Sequence, residues 1–482
     1  PGPDPEDGWW YKFGQHATRL AMSVRNFSFT YKNTYAMTLP GFRPEVGDMF
    51  GQKKHGGFLA PGMDFAFGFT GDGYIDRALQ NDWLICNDSV VSPASSNALE
   101  DLQLRISLEP IRDLKIDLTA NRTRNCSREI QYMFEGMPDT RSGNFSMSII
   151  SIGSAFERPS AGDGYHSGTF ERFRRNLDVI RDRVESQFLG AQYPQGSALA
   201  GKTFDPANGT ISKHSPDVMI PAFLAAYTGR SARNSALDFF PSLFSMMPNW
   251  RITYTGLTKI AWFKKNFRSV NLNHAYRSTY SVGSYNTFQS FMSYMGDIGF
   301  VEDVQSGNPI PSSRFDISMV SINEQFSPLI GMDATLKNGL TAKVEYKTSR
   351  ILNLSMSACQ LVETASRDFV IGLGYKIVNF NLFSGRNVKD SKNRVSHDLA
   401  LRADISFRNQ SALCRDIQQG FAQATNGNKA LKISCSADYT LSRLLTLRLY
   451  YDRQQNTPLI SSSSYPVVSA DFGFSMKFSL TR

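Results

Sequence analysis

Val467-Val468-Ser469-Ala470-Asp471-Phe472-Gly473-Phe474-Ser475-Met476-Lys477-Phe478-Ser479-Leu480-Thr481-Arg482 is the stretch whose reading decides the fold. From Val468 to Leu480 every even position is apolar, and every odd position from Ser469 to Thr481 is small or polar. Successive side chains of a strand point to opposite faces, so the segment has one greasy face and one wet face. Strands of soluble proteins usually run about 5–6 residues, whereas a tilted membrane strand needs about 9–11. The length and alternation predict a strand with lipid on one side and water on the other, Asp471 and Lys477 facing the water.

The pattern recurs along the chain. Leu102-Leu104-Ile106-Leu108 and Leu114-Ile116-Leu118-Ala120 flank a break at Glu109-Pro110-Ile111-Arg112-Asp113. Phe326-Pro328-Ile330-Met332-Ala334-Leu336 meets Leu340-Ala342-Val344-Tyr346 across Asn338-Gly339, a pair that supplies the positive φ angles of a tight hairpin. Leu399-Leu401-Ala403-Ile405-Phe407, Leu431-Ile433-Cys435-Ala437-Tyr439 and Leu445-Leu447-Leu449-Tyr451 follow. Lys343, Glu345, Lys347, Arg402, Asp404 and Arg408 sit off the apolar phase. The fold class expected is therefore an all-β membrane protein built as an antiparallel transmembrane β-barrel. A large soluble β-sandwich is the competing reading, because its strands alternate too.

Composition agrees with strands as the spanning elements. The chain has 482 residues, of which 41% are hydrophobic and 12% aromatic. No run reaches the 18 or so apolar residues of a spanning helix. The nearest, Asp217-Val218-Met219-Ile220-Pro221-Ala222-Phe223-Leu224-Ala225-Ala226-Tyr227, is interrupted by Pro221. A net charge of +9 suits wet loops and a wet lumen, and Arg172-Phe173-Arg174-Arg175 and Lys264-Lys265 are too short for a nucleic-acid face. No nucleic-acid partner is expected. Five cysteines, Cys86, Cys126, Cys359, Cys414 and Cys435, form no C-x-x-C pair; a single Cys86–Cys126 bridge stays open. Cys435 shares the phase of Ile433 and Ala437, where a thiol acts as a small hydrophobe.

Three sections are expected. Residues 1–156 carry strands and loops, aromatic-rich around Trp9-Trp10-Tyr11, and residues 249–482 carry the C-terminal strands, starting near Trp250-Ile252-Tyr254. Between them, 157–248 reads as a helical and irregular insertion, cap or plug-like and ordered. Phe170, Phe173, Leu177, Ile180, Val184 and Phe188 recur at spacings of three and four before Gly190, which predicts an amphipathic helix packed on protein or, less simply, on a membrane surface. Leu413-Ile417-Phe421 at spacing four predicts a further short helix between two strands.

No catalytic, cofactor or metal residue is assigned. Gly196-Ser197-Ala198-Leu199-Ala200-Gly201-Lys202-Thr203 matches the phosphate-loop pattern, but Ala191-Gln192-Tyr193-Pro194-Gln195 before it is no buried strand. Phe204-Asp205-Pro206-Ala207-Asn208-Gly209 after it starts no helix. His16, His55, His166, His214, His274 and His397 include no pair with ligand spacing, and no G-x-S-x-G elbow is present. The chain is read as a non-enzyme without cofactors.

Longer blocks carry a resemblance. Pro248-Asn249-Trp250-Arg251-Ile252-Thr253-Tyr254-Thr255-Gly256-Leu257, Trp262-Phe263-Lys264-Lys265 and Leu272-Asn273-His274-Ala275-Tyr276-Arg277-Ser278-Thr279-Tyr280-Ser281-Val282-Gly283-Ser284-Tyr285-Asn286 are the most specific. Ile220-Pro221-Ala222-Phe223-Leu224-Ala225-Ala226-Tyr227-Thr228-Gly229, Glu324-Gln325-Phe326-Ser327-Pro328-Leu329-Ile330-Gly331 and Tyr450-Tyr451-Asp452-Arg453 agree. Together they resemble the SprA/Sov family, the outer-membrane translocon of the Bacteroidetes type IX secretion system, over most of the chain. The resemblance implies that these residues are the C-terminal part of one very large barrel in the outer membrane of a Gram-negative cell. It implies a protein-conducting pore for folded cargo with a C-terminal signal domain, and a link to the cell surface and gliding motility. It also implies an outer-membrane barrel partner (PorV-like) at a lateral opening and a periplasmic plug protein. Leu480-Thr481-Arg482 departs from the terminal aromatic usual in such barrels. A plugged nutrient receptor and a membrane-barrel hydrolase are the other readings. A receptor would carry a plug upstream, and a hydrolase would need a converging nucleophile and base.

Overall fold

A computed structural model gives the architecture and describes residues 23–478 except 46, 48–49, 72, 86–91, 132–138, 379, 381–397, 442–444 and 461–464. Trp9-Trp10-Tyr11, His16, Cys86, His397 and Leu480 lie outside the described residues. Among those described, fourteen strands form one antiparallel sheet. They are β1 (Val24–Thr38), β2 (Ala94–Ile111), β3 (Leu114–Ile130), β4 (Asp139–Ser148), β5 (Asn249–Tyr254), β6 (Phe267–Thr287), β7 (Phe315–Ile317), β8 (Met319–Leu336), β9 (Leu340–Ser355), β10 (Gln360–Ile377), β11 (Leu399–Asp416), β12 (Ala422–Thr440), β13 (Leu445–Pro458) and β14 (Val467–Phe478). Their order follows the chain, except that β4 and β5 share one lane between β3 and β6, and the short β7 caps β6. Among the described residues the result is a twelve-lane wall with β1 and β14 as its edges.

The wall has a turn end and a loop end. At the turn end, residues 112–113 join β2 to β3 and 337–339 join β8 to β9. Gly339 takes the only positive φ of the second turn, +88°, so this is a three-residue turn with one left-handed glycine and not a hairpin with two positive angles. The sequence-level break at 109–113 also narrows, because Glu109-Pro110-Ile111 remain in β2. The loop end bears the large excursions. Residues 39–93 contain a helix, Gly73–Gln80, whose Tyr74, Ile75 and Ala78 pack with Trp83 and Leu84; residues 288–314 contain a three-stranded sheet.

The largest excursion leaves the wall in mid-lane. β4 ends at Ser148, and the lane resumes at Asn249 with β5. In between, α1 (Gly168–Ser186) and α2 (Pro216–Tyr227) pack on the sheet. The α1 stripe lands as its spacing predicts: Phe170, Phe173, Leu177, Ile180 and Val184 are all buried, with Phe188 just beyond. The helix packs on protein, with Phe173 meeting Phe223 of α2 edge to face, and the membrane-surface alternative does not describe it.

α1 begins at Ser167, whose Oγ accepts from the Phe170 amide. The Glu157 carboxylate accepts from Ser167 Oγ, from the Thr169 amide at 3.0 Å and from Thr169 Oγ1. Burial pushes the Glu157 carboxyl up, but these donors and the Arg350 charge outweigh it and hold the carboxyl below its ordinary 4.5. A depressed carboxylate contributes stability above its unfolded value that is lost as pH falls through its folded value. Glu157→Gln is therefore expected to loosen the insertion by about 1–3 kcal/mol at neutral pH. The difference from the parent should vanish in acid below pH 4.5, as read by urea unfolding of the insertion.

Two expectations are corrected. α2 runs straight through Pro221, because Val218, Met219, Ile220, Ala222 and Phe223 are buried on every side and that burial outweighs one missing amide. Leu413, Ile417 and Phe421 form no helix. Leu413 lies within β11, Ile417 is in the turn, and Phe421 immediately precedes β12. Gly420 at φ +79° closes that turn, its amide donating to the Asp416 carbonyl. A spacing of four across a hairpin turn mimics a helical one.

Candidate functional site

Cross-strand register lets each face of the wall be followed from lane to lane. Phe474 of β14 stands opposite Leu449, which stands opposite Ala437, Leu401 and Tyr375 in turn, and then Leu340. The same face carries Val344, Ile371, Ile405 and Ile433 one or two rows on, then Met332 and Leu272 across β8 and β6. It continues through Tyr254, Leu114 and Ile116 to Leu104, Ile106, Phe27 and Phe29 at the far edge. One apolar band thus crosses all twelve lanes, confined to the half of the wall nearest the turn end. Nothing among the described residues covers it: Ile330 is 68% exposed, Ile405 46% and Phe472 77%. Soluble proteins rarely leave contiguous apolar patches beyond a few hundred Å².

The opposite face of the same rows is mostly polar, with Val370, Ala275 and Ala400 among its few apolar members. Glu345 lies between Lys343 and Lys347 at 3.0 and 2.9 Å, and Arg408 forks onto Asp368 at 2.8 and 3.2 Å. Asn273 donates to Asp333 at 3.0 Å, and Asp471 and Lys477 of β14 lie on this side as the alternation predicts. Exposed pairs of this kind are worth about 0–1 kcal/mol, so they report a wet surface more than they hold the sheet.

Where the band ends toward the loop end, aromatic side chains line the six lanes from β5 to β11. Trp250 stacks on Tyr276 at 4.4 Å and Tyr276 meets Phe326 at 4.8 Å. In the next row Ile330 stands opposite Tyr346, Tyr346 opposite Phe369, and Phe369 opposite Phe407. Membrane barrels place such girdles at the lipid–water boundary.

Immediately beyond this row lies the root of the insertion. Ser148 pairs with Thr279, and Trp250 pairs with Tyr276, leaving one position of the lane empty opposite Ser278. Its ladder bonds are replaced. The Ser278 amide donates to Asn249 Oδ1 at 2.7 Å, and the Ile149 amide donates to the Ser278 carbonyl at 3.1 Å. Ser148 Oγ accepts from the Asn121 amide and from Asn249 Nδ2. Beneath the gap, Glu324 Oε1 accepts from Ser151 Oγ at 2.7 Å and Tyr276 Oη at 2.8 Å, while Oε2 takes Arg350 at 2.6 Å. Arg350 also donates to the Ser154 carbonyl at 2.7 Å and to Ser154 Oγ at 2.8 Å. Two lanes on, buried Arg415 pairs with Glu363 at 3.2 Å and donates to the Tyr165 carbonyl at 2.6 Å. Two wall arginines thus clamp the insertion's first segment.

No protein-family model and no curated protein matches this chain.

Other residues singled out from sequence fall elsewhere. The phosphate-loop look-alike is a closed turn: the Tyr193 amide donates to Lys202 O and the Phe204 amide to Ala191 O, with a lone bridge between Gln192 and Thr203. Its amides at Ser197, Ala200 and Lys202 bond the loop's own carbonyls, so they do not converge on an anion. Lys202→Ala is expected to leave equilibrium dialysis with ATP unchanged; a saturable affinity lost in the variant would refute this. His274 Nδ1 lies 2.6 Å from Leu329 O, and no metal-holding cluster occurs among the described residues. Cys126 is a free thiol on β3. Sequence reading missed Glu324, Arg350, Glu363 and Arg415. Their signal was available: each is a charge standing in the apolar phase of its strand.

Proposed function

We propose that this wall is part of a large transmembrane β-barrel of the outer membrane, and that the barrel conducts proteins. The observation that carries the reading is the uncovered apolar band on one face of all twelve lanes, backed on the same rows by a charged face. The strands run 12–21 residues in the full lanes, beyond the roughly 9–11 a bilayer requires, so the loop-end half projects past the lipid. The three largest excursions, 39–93, 149–248 and 288–314, all lie toward one end of the wall, as extracellular segments of membrane barrels usually do.

The width of the wall bears on what can pass. Strands about 4.8 Å apart and tilted about 40° each occupy roughly 6 Å of circumference, so twelve lanes closed on themselves would give a ring about 24 Å across. Side chains would narrow it further, whereas a 100-residue folded domain with a radius of gyration of about 13 Å is about 34 Å wide. Folded cargo therefore requires more lanes than these, and the edges at β1 and β14 are where they would join. The resemblance to the SprA/Sov translocon supplies the specific reading: export of folded cargo bearing a C-terminal signal domain. The barrel partner at a lateral opening and the periplasmic plug belong to the same reading. The mechanism is passive, with a wet wall offering water and charge to the cargo while the greasy wall seals against lipid; no catalytic step is needed.

Depletion of the protein in cells tests this. Cargo with the signal domain should accumulate folded in the periplasm while other outer-membrane proteins reach their destination. Unchanged export of such cargo would refute the translocon reading.

A further inference from the structure

The insertion and the apolar band lie on the same face of the wall. Phe145 and Met147 of β4, Tyr280 and Val282 of β6, Val320 and Ile322 of β8 and Leu352 and Leu354 of β9 share one buried cluster with the insertion, including residues of α1 and α2. Strand periodicity of two joins Ile322 to Phe326, Leu352 to Tyr346 and Leu354 to Val344 on one face, and the register keeps them together across β8 and β9. An element docked on that face cannot share the side that carries Lys343, Glu345 and Asp368. Its base, moreover, sits at the aromatic row. Phe156 rests on Phe326 at 5.5 Å yet stays 56% exposed. Met247 hydrogen-bonds Ser148 at the mouth of the lane break, and three residues before it Phe244 is 98% exposed beside exposed Leu243.

Resting on the membrane-wall reading, we propose that the insertion is an external collar, clamped to the outside of the barrel just above the bilayer, and that Phe156, Leu243 and Phe244 form a rim seated in the lipid headgroup layer. The occupant of this rim is lipid, because the rim continues the uncovered band and begins at the row of aromatic side chains. Phenylalanine and leucine at that depth find apolar surface below and water above, as interfacial aromatic residues do. Such seating would fix the height of the wall in the bilayer and hold the collar away from the lumen, leaving the charged face free for cargo.

Photocrosslinking in native membranes tests the collar and its premise separately. A benzoylphenylalanine is introduced into the full-length protein at Phe244 or Phe156, at Phe369 or Leu401 in the band, or at Asp404 on the charged face. Lipid adducts are then read by mass spectrometry. Adducts at Phe244, Phe156, Phe369 and Leu401 with none at Asp404 are the expected result. Adducts at Phe369 and Leu401 but none at Phe244 and Phe156, or protein adducts there instead, overturn the collar and leave the membrane wall standing. Lipid adducts at Asp404 with none at Phe369 and Leu401 overturn both.

Discussion

Arg350→Ala is expected to destabilise the docked insertion by about 3–5 kcal/mol, the range for breaking a buried ion pair by removing one partner. The guanidinium is nearly buried and Glu324 is 1% exposed. Truncation removes its contacts to Glu324, the Ser154 carbonyl and Ser154 Oγ at once. The carboxylate would then keep only the Ser151 and Tyr276 hydroxyl donors in a site without water access. Limited proteolysis between residues 149 and 248 reads the effect, since a released insertion exposes α1 and α2. A second variant separates electrostatics from packing. Glu324→Leu with Arg350→Met removes both charges and should recover much of the loss, because an apolar pair of similar volume is often neutral or better at such sites. If Arg350→Ala leaves the cleavage rate unchanged, the clamp does not hold the insertion.

The second large effect concerns the band. Ile405 and Ser406 are neighbours on β11 that point to opposite faces. Ile405→Arg is expected to cost about 2–4 kcal/mol near the midplane, whereas Ser406→Arg on the charged face should be mild. The measurement is the fraction of protein that assembles into a heat-stable, protease-resistant form. Phe474→Arg and Ser475→Arg on β14 repeat the comparison, and the same contrast is expected. Equal assembly of the two members of either pair would contradict the facing.

How much of this was legible depends on where each strand lies relative to the band. β14 and the turn-end halves of β9, β11, β12 and β13 announced themselves, since one face is apolar and the other polar. The loop-end halves of β11 and β12 did not. Arg408-Asn409-Gln410-Ser411 and Asn426-Gly427-Asn428-Lys429 are polar on both faces, and a strand wet on both sides leaves no period to read. The α1 stripe was legible for the opposite reason, a single buried face at helical spacing. The lane break was invisible, because Ser148 and Asn249 meet only after a hundred intervening residues have folded back between them. The clamp was legible in principle: Arg350 stands in phase with Val344 and Tyr346, and a charge in that phase demands a buried partner. Pro221 misled because a local rule about proline ignores the burial of its neighbours.

The facing of the wall is tested most directly by spin-label accessibility along one strand. Single labels are placed at each position from 399 to 408, in the full-length protein with its native cysteines replaced, reconstituted into bilayers. Collision with oxygen, which concentrates in lipid, should peak at Leu401, Ala403, Ile405 and Phe407. Collision with a water-soluble nickel chelate should peak at Arg402, Asp404, Ser406 and Arg408, giving two out-of-phase curves of period two. Equal access of the nickel chelate to both sets of positions would contradict the account, leaving a water-exposed sheet in place of a membrane wall.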